Sequence, residues 1–183
     1  MDLRVKRTTK NIKDAFFELR KKKSIEKISV KELSELAMIN KATFYLHYRD
    51  IYELSDKLEI ELVERIISEV KPINFLLSRE NFKLFSRTLS LAIIRNDDEI
   101  RTLFSGYENN HFINHLERTL KNFIFSTYPS IRNNNENNIF LTFIIQGSFH
   151  TYIRNSKIDK TVLIENTTNM TSNLAEEYNF FNF

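Results

Sequence analysis

The sequence predicts an all-α protein: an N-terminal three-helix helix-turn-helix module joined by a long helix to a larger helical domain. Three observations lead there. Gly and Pro number two each in 183 residues, too few for a fold of many short strands and tight turns, which need residues tolerant of positive φ or fixed near −65°. Apolar residues recur at i, i+3, i+4 and i+7, the period of amphipathic helices. Side chains that cap helix N-termini stand at the head of three successive apolar-periodic segments. With 42% hydrophobic and 28% charged residues, the chain has enough apolar material for a sizeable core.

The first predicted helix runs from Arg4 to Arg20, with Ile12, Ala15, Phe16 and Leu19 on one face. Lys21, Lys22 and Lys23 follow it, where cations favour the negative end of the helix dipole. A short second helix opens at Ser29-Val30-Lys31-Glu32, a capping box with Ile28 and Leu33 placed as a hydrophobic staple, and stops near Met38 and Ile39. A third begins at Asn40, stapled by Ile39 and Phe44, and runs to about Tyr48. Asp50-Ile51-Tyr52-Glu53 then opens a long fourth helix with Ile51, Leu54, Leu58, Leu62 and Ile66 on one stripe, closed by Pro72.

Beyond Pro72 the helical segments are Phe82 to Arg95, Glu99 to Phe104, Phe112 to Tyr128, Ile139 to Arg154 and Lys160 to Tyr178. Pro129 to Asn138, with its Asn133-Asn134-Asn135 run, reads as a loop whose composition cannot bury a core. The expected domains are residues 1–58 and 59–183.

Several function classes are excluded. Without cysteine there is neither a disulfide framework nor a thiolate zinc site. The N-terminus is charged where a signal peptide is apolar, and no run approaches a membrane span, so a cytoplasmic protein without a membrane segment is expected. Enzyme motifs are missing: no Gly-rich phosphate loop, no Gly-x-Ser-x-Gly elbow, no Cys nucleophile. His111 and His115 have i, i+4 spacing but lack a third ligand or an intervening Glu, so neither a metal nor another cofactor is expected.

Charge is unevenly distributed. Residues 1–58 carry 14 Lys/Arg against 9 Asp/Glu, and the remainder 13 against 15. A basic module on a near-neutral body suits a phosphate-rich partner. Two short capped helices around a three-residue turn form the pattern of a DNA-reading helix-turn-helix.

Helical phase assigns roles within the third helix. Phe44 and Tyr48 share the buried face. The opposite face carries Ala42 and Leu46, flanked by Lys41 and Tyr45 on one side and Thr43 and His47 on the other. Ala42 permits close approach to the major groove, Lys41 can donate to guanine or phosphate, and Ala42 or Leu46 can meet a thymine methyl. Tyr45 and His47 read as phosphate or sugar contacts. Ser29, Val30 and Lys31 at the second helix, Asn40 at the third, Arg49 beyond it, and Thr8, Thr9 and Lys10 at the first complete the expected DNA-facing set.

The string Ala37-Met38-Ile39-Asn40-Lys41-Ala42-Thr43-Phe44-Tyr45-Leu46-His47-Tyr48, followed by Arg49-Asp50-Ile51-Tyr52-Glu53-Leu54, resembles the signature of the tetracycline-repressor (TetR) family. Ala37, Ile39, Lys41, Thr43, Tyr45, His47 and Leu54 match it. The chain departs at Met38, where the family often has Gly and a tight turn, and at Ile51, where a phosphate-touching Lys is common, so that Arg49 or Lys57 would supply that cation. The resemblance implies a homodimeric, ligand-responsive repressor of a palindromic operator, and a phosphate contact for Tyr45. It also implies a four-helix dimer interface from the last two long helices.

The second domain holds 13 of the 16 Phe. An apolar pocket for an apolar or aromatic effector is expected beneath the fourth helix, with Phe82, Phe85, Phe104, Tyr107, His111, His115, Phe143, Gln146 and His150 as candidate lining. Residues 141–149 are apolar around much of the helix, which a partner surface or a buried helix explains. Ile145 is the residue expected to face outward there, with dimerisation through the helices after Ile139. The competing reading is a DNA-binding regulator controlled by a protein partner or by no ligand.

Overall fold

A computed structural model describes residues 3–72, 78–103, 111–132, 134–178 and 180, and the backbone alone of residue 111. Among them the chain is all-α. Its helices are α1 (Leu3–Arg20), α2 (Val30–Leu36), α3 (Lys41–Tyr45), α4 (Ile51–Val70), α5 (Arg79–Arg95), α6 (Asp97–Leu103), α7 (His111–Thr127), α8 (Asn135–Arg154) and α9 (Lys160–Glu177), with short 3-10 turns at Ile25–Lys27 and Pro129–Ile131. The chain divides into two compact units, one made of Met1–Leu62 and Asp97–Asn109, the other of Val63–Asn96 and Asn110–Phe183.

In the first unit the apolar stripe of α1 is buried as its period requires: Ile12, Ala15, Phe16 and Leu19 all lie inside, with Leu33 of α2, Phe44 of α3 and Leu54 of α4. The unit also holds α6, which the sequence had assigned to the second domain. Arg20 is responsible in part. Its guanidinium is buried, and it donates to the carbonyls of Lys23 and Leu103, each at 3.2 Å. It thereby joins the end of α1 to the end of α6, whereas the sequence had grouped only the neighbouring lysines with the helix dipole. Such long-range pairing leaves no local signal.

The turn between α2 and α3 is a Schellman motif. Ile39 N–H bonds to the Ser34 carbonyl at 2.9 Å and Met38 N–H to that of Glu35 at 3.2 Å, satisfying carbonyls that a helix end leaves open. The motif needs one left-handed residue, and Met38 takes that place at φ 55°. The turn therefore stays tight without glycine, at a steric cost to a residue bearing Cβ. Met38→Gly is expected to raise stability by about 0.5–1 kcal/mol, the relieved strain exceeding the extra freedom of the unfolded chain. Chemical denaturation checks it, through a higher midpoint at unchanged slope.

The second unit packs α5 against α9, and α7 and α8 beside them. Phe82, Phe85, Phe112, Leu116, Leu120, Phe140, Leu141 and Phe149 are buried in its core. Phe180, just past α9, is also buried and sits 4.6 Å from the Phe140 ring and 6.0 Å from that of Phe82. The asparagine run is not wholly a loop. Asn134 caps α8, accepting from the amides of Glu136 and Asn137 at 2.8 and 3.4 Å, and Asn137 is buried. Asparagine is a poor helix former but a strong N-cap, so the run conceals where the helix starts.

Ile145 faces inward, at 9% exposure, contrary to the expectation above. The apolar residues that α8 leaves open are Ile139 and Phe143, 67% and 66% exposed, with Gly147 and His150 continuing the stripe. On α9, Val162 and Met170 are exposed.

Candidate functional site

Three side chains fix the geometry of the helix pair. Ser29 Oγ accepts from the Glu32 amide at 3.2 Å and Asn40 Oδ1 from the Thr43 amide at 2.7 Å. Asp50 Oδ1 accepts from the Glu53 amide at 2.8 Å, while the Glu53 carboxylate reaches back to the Arg49 amide at 2.5 Å. The Glu32 carboxylate is taken by Lys23. Asn11, which the sequence reading passed over, donates to the Ala37 carbonyl at 3.4 Å and so links α1 to the α2–α3 turn.

With Phe44 and Tyr48 buried, α3 presents Lys41, Ala42, Tyr45 and Leu46 to solvent. Thr43 is turned aside. Half-buried, it donates its hydroxyl to Asn40 Oδ1 at 2.8 Å. His47 is half-buried beside the Tyr48 ring. Ser29, Lys31, Asn40 and Arg49 are exposed, while Val30 and Thr9 are half-buried. Lys10 is exposed but paired with Asp14.

Of the two cations proposed to replace the missing lysine, Arg49 is the open one: its side chain is 82% exposed and pairs with Asp50 at 3.3 Å. Lys57 is committed to Glu53 at 2.9 Å, the His47 carbonyl at 3.3 Å and the Tyr48 ring at 5.0 Å. Ile51 is buried, as its place in the stripe of α4 requires.

The capping carboxylates titrate low. The amide of Glu53, chiefly, and then Arg49 hold Asp50 below its ordinary pKa; the amide of Arg49, then Lys57, do the same for Glu53. A carboxylate depressed in the folded state stabilises above its unfolded pKa and loses that contribution as pH falls through its folded value. Stability is therefore expected to drop below about pH 4. Thermal melts of the wild type and Asp50→Asn between pH 6 and 3 check this: the variant keeps a neutral capping oxygen and should show the shallower decline.

The second unit holds a partly open cavity of about 80 Å³ between α5, α7, α8 and α9. Phe82 and Phe85 line it, with Ser86, Leu89, Leu116, Leu141, Ile145, Phe149, Tyr152 and Thr171 among their neighbours. No charged side chain contributes among the described residues. The hydroxyls of Ser86, Ser90 and Thr171 are already partnered: Ser86 and Thr171 lie 3.0 Å apart, and Ser90 donates to the Ser86 carbonyl at 2.9 Å.

Four of the expected lining residues lie elsewhere. Phe143 and His150 are exposed, Gln146 donates to Glu117 at 2.7 Å, and His115 takes a 2.6 Å contact from Arg118 through Nδ1. Burial first, and then the Arg118 charge, lower the His115 pKa and favour its neutral form. The reason is phase: residues 143, 147 and 150 share one stripe of α8, whereas 141, 145, 148 and 152 share the stripe facing the cavity. No residue of α4 lines the cavity among those described, so its expected place beneath that helix is corrected too. Phe104, Tyr107 and the His111 side chain lie outside the described residues.

The first unit thus carries a capped helix pair with an exposed face of mixed polar and apolar side chains, and the second an apolar interior. No family model and no curated protein matches the sequence. Among solved structures, the chain is similar to the fatty acid degradation regulator FadR from Bacillus halodurans, with a TM-score of 0.62 and 12% identity over 90% of this chain and 94% of that one. The likeness is one of fold. Among the described residues, no helix is long and apolar enough to cross a membrane.

Proposed function

We propose that this chain is a sequence-specific, DNA-binding transcription regulator of the TetR type that binds a palindromic operator as a homodimer. The observation that carries the reading is the outward face of α3, where Lys41, Ala42, Tyr45 and Leu46 stand clear of the packed Phe44 and Tyr48. The positive excess of residues 1–58 and the fold shared with a regulator support it. Titration of a labelled duplex over a range of salt tests it: affinity should fall steeply with salt, as phosphate contacts release counterions, and a selected sequence should compete better than random DNA.

The second unit would receive an effector. Its cavity calls for an uncharged, apolar ligand or the hydrocarbon tail of an amphiphile, since a buried charge there would lack a partner; the regulator of similar fold is named for fatty acid degradation. At about 80 Å³ the cavity must widen to hold a drug-sized molecule, which needs some 300–1,000 Å³. Widening would move α5, which is tied to α4 by Arg95 with Glu69 and by Arg65 with Asn96 at 3.1 Å. Through that linkage, repression would respond to ligand.

The small cavity also favours the second reading, a regulator governed by a protein partner or by no ligand. Thermal melts with a panel of medium-chain alcohols, fatty acids and aromatic compounds separate the two. A binder at 100 times its Kd is expected to add about 2.7 kcal/mol of stability, whereas a panel without effect favours the second reading.

A further inference from the structure

The two most exposed large apolar side chains among the described residues, Met38 at 91% and Leu46 at 83%, flank the outward face of α3. Ala42 lies between them and is also exposed. Around them the polar inventory is narrow. Asparagine commonly reads adenine by pairing its oxygen and nitrogen with N6 and N7, but Asn40 Oδ1 already accepts from the amide of Thr43 at 2.7 Å and its hydroxyl at 2.8 Å. The hydroxyl of Thr43 is used in that same contact. The outward face of α3 thus offers an ammonium, a phenol and apolar surface, with no carboxylate and no free amide oxygen. In the major groove the apolar feature of a base pair is the thymine C5 methyl, and the acceptors that suit an ammonium are guanine O6 and N7.

We infer that α3 reads thymine methyl groups: Leu46 and Ala42, with Met38 at the preceding turn, make apolar contacts to thymines in each operator half-site. This rests on the DNA-binding reading above. Ala42 and Leu46 are one helical turn apart, about 6 Å along the axis, close to the rise of two base pairs at 3.4 Å each. Two thymines about two steps apart therefore form the apolar part of the half-site, with a guanine near Lys41.

The test uses the full chain and a duplex selected by it from a random library. The selected duplex is remade with deoxyuridine for thymine, which deletes only the C5 methyl. Affinity is expected to fall about 4-fold for each contacted methyl, the value of one buried methyl-sized group, and Leu46→Ala should reduce that ratio towards 1. Since Leu46 is exposed, the variant keeps its fold, which a thermal melt confirms. Selection of a duplex that binds equally well with uracil would overturn thymine reading and leave DNA binding intact. Failure to enrich any duplex, or capture of RNA or a protein in its place, would overturn both.

Discussion

Lys41→Ala is expected to weaken operator binding by about 5- to 150-fold per half-site, corresponding to about 1–3 kcal/mol for a base-contacting donor. If Lys41 also meets phosphate, the salt dependence should flatten by roughly one counterion per subunit. Tyr45→Phe and Tyr45→Ala divide the contribution of the neighbouring residue. Tyr45 is 56% exposed and its ring rests edge-on against Phe44 at 5.6 Å, so Tyr45→Phe keeps the packing and removes only the hydroxyl. A loss of affinity in Tyr45→Phe as large as in Tyr45→Ala would assign the contact to the hydroxyl. Fluorescence anisotropy at several salt concentrations gives both quantities, and circular dichroism confirms that the fold is intact. Unchanged affinity in Lys41→Ala and Tyr45→Ala together would remove α3 from the interface.

Phe143→Asp is expected to convert the proposed dimer into monomers and to reduce operator affinity by about 100-fold or more, since two linked readers gain from effective concentration. The side chain is 66% exposed in the single chain, so an aspartate there costs little unless a second copy covers it; covered, it becomes an unpaired buried charge. Gly147, on the same stripe, offers an independent check. A Cβ built there meets nothing within 4 Å, and glycine within a helix costs about 1 kcal/mol relative to alanine. Gly147→Leu should therefore leave the isolated chain folded and obstruct close approach of another helix. Sedimentation velocity at micromolar concentration distinguishes the states: a wild-type monomer, or a Phe143→Asp dimer, would contradict an interface on this face.

What could be read in the sequence follows the range of the interaction. The caps at Ser29, Asn40 and Asp50 each join residues three apart, and such contacts leave a local pattern. The buried stripe of α1 is legible for the same reason, because one period of 3.6 decides it. Arg20 reaching Leu103 and Asn11 reaching Ala37 have no such signature, so α6 was placed with the wrong unit and the tie between α1 and the turn went unseen. The left-handed conformation of Met38 stayed hidden because the residue type argues against it; only the surrounding Schellman bonds impose it. In the second unit, candidates chosen by residue type, such as His150 and Gln146, missed the cavity that phase would have found through Leu141, Ile145 and Tyr152. Phe143 was assigned inward and Ile145 outward for the same reason: on a helix apolar on most sides, hydrophobicity no longer marks the buried face.

The chain has no cysteine, so one introduced at Tyr52, exposed at the start of α4 a few residues past α3 and outside the proposed contact set, is a unique attachment point. An iron chelate that cleaves DNA, tethered to Tyr52→Cys and bound to the selected duplex, tests most directly whether the neighbouring α3 enters the major groove. Two short cleavage clusters are expected, one in each half-site, about one helical turn or a multiple of it apart, and none from wild-type protein treated with the same reagent. Specific binding without cleavage near the half-sites would contradict the assignment of α3 as the reading helix.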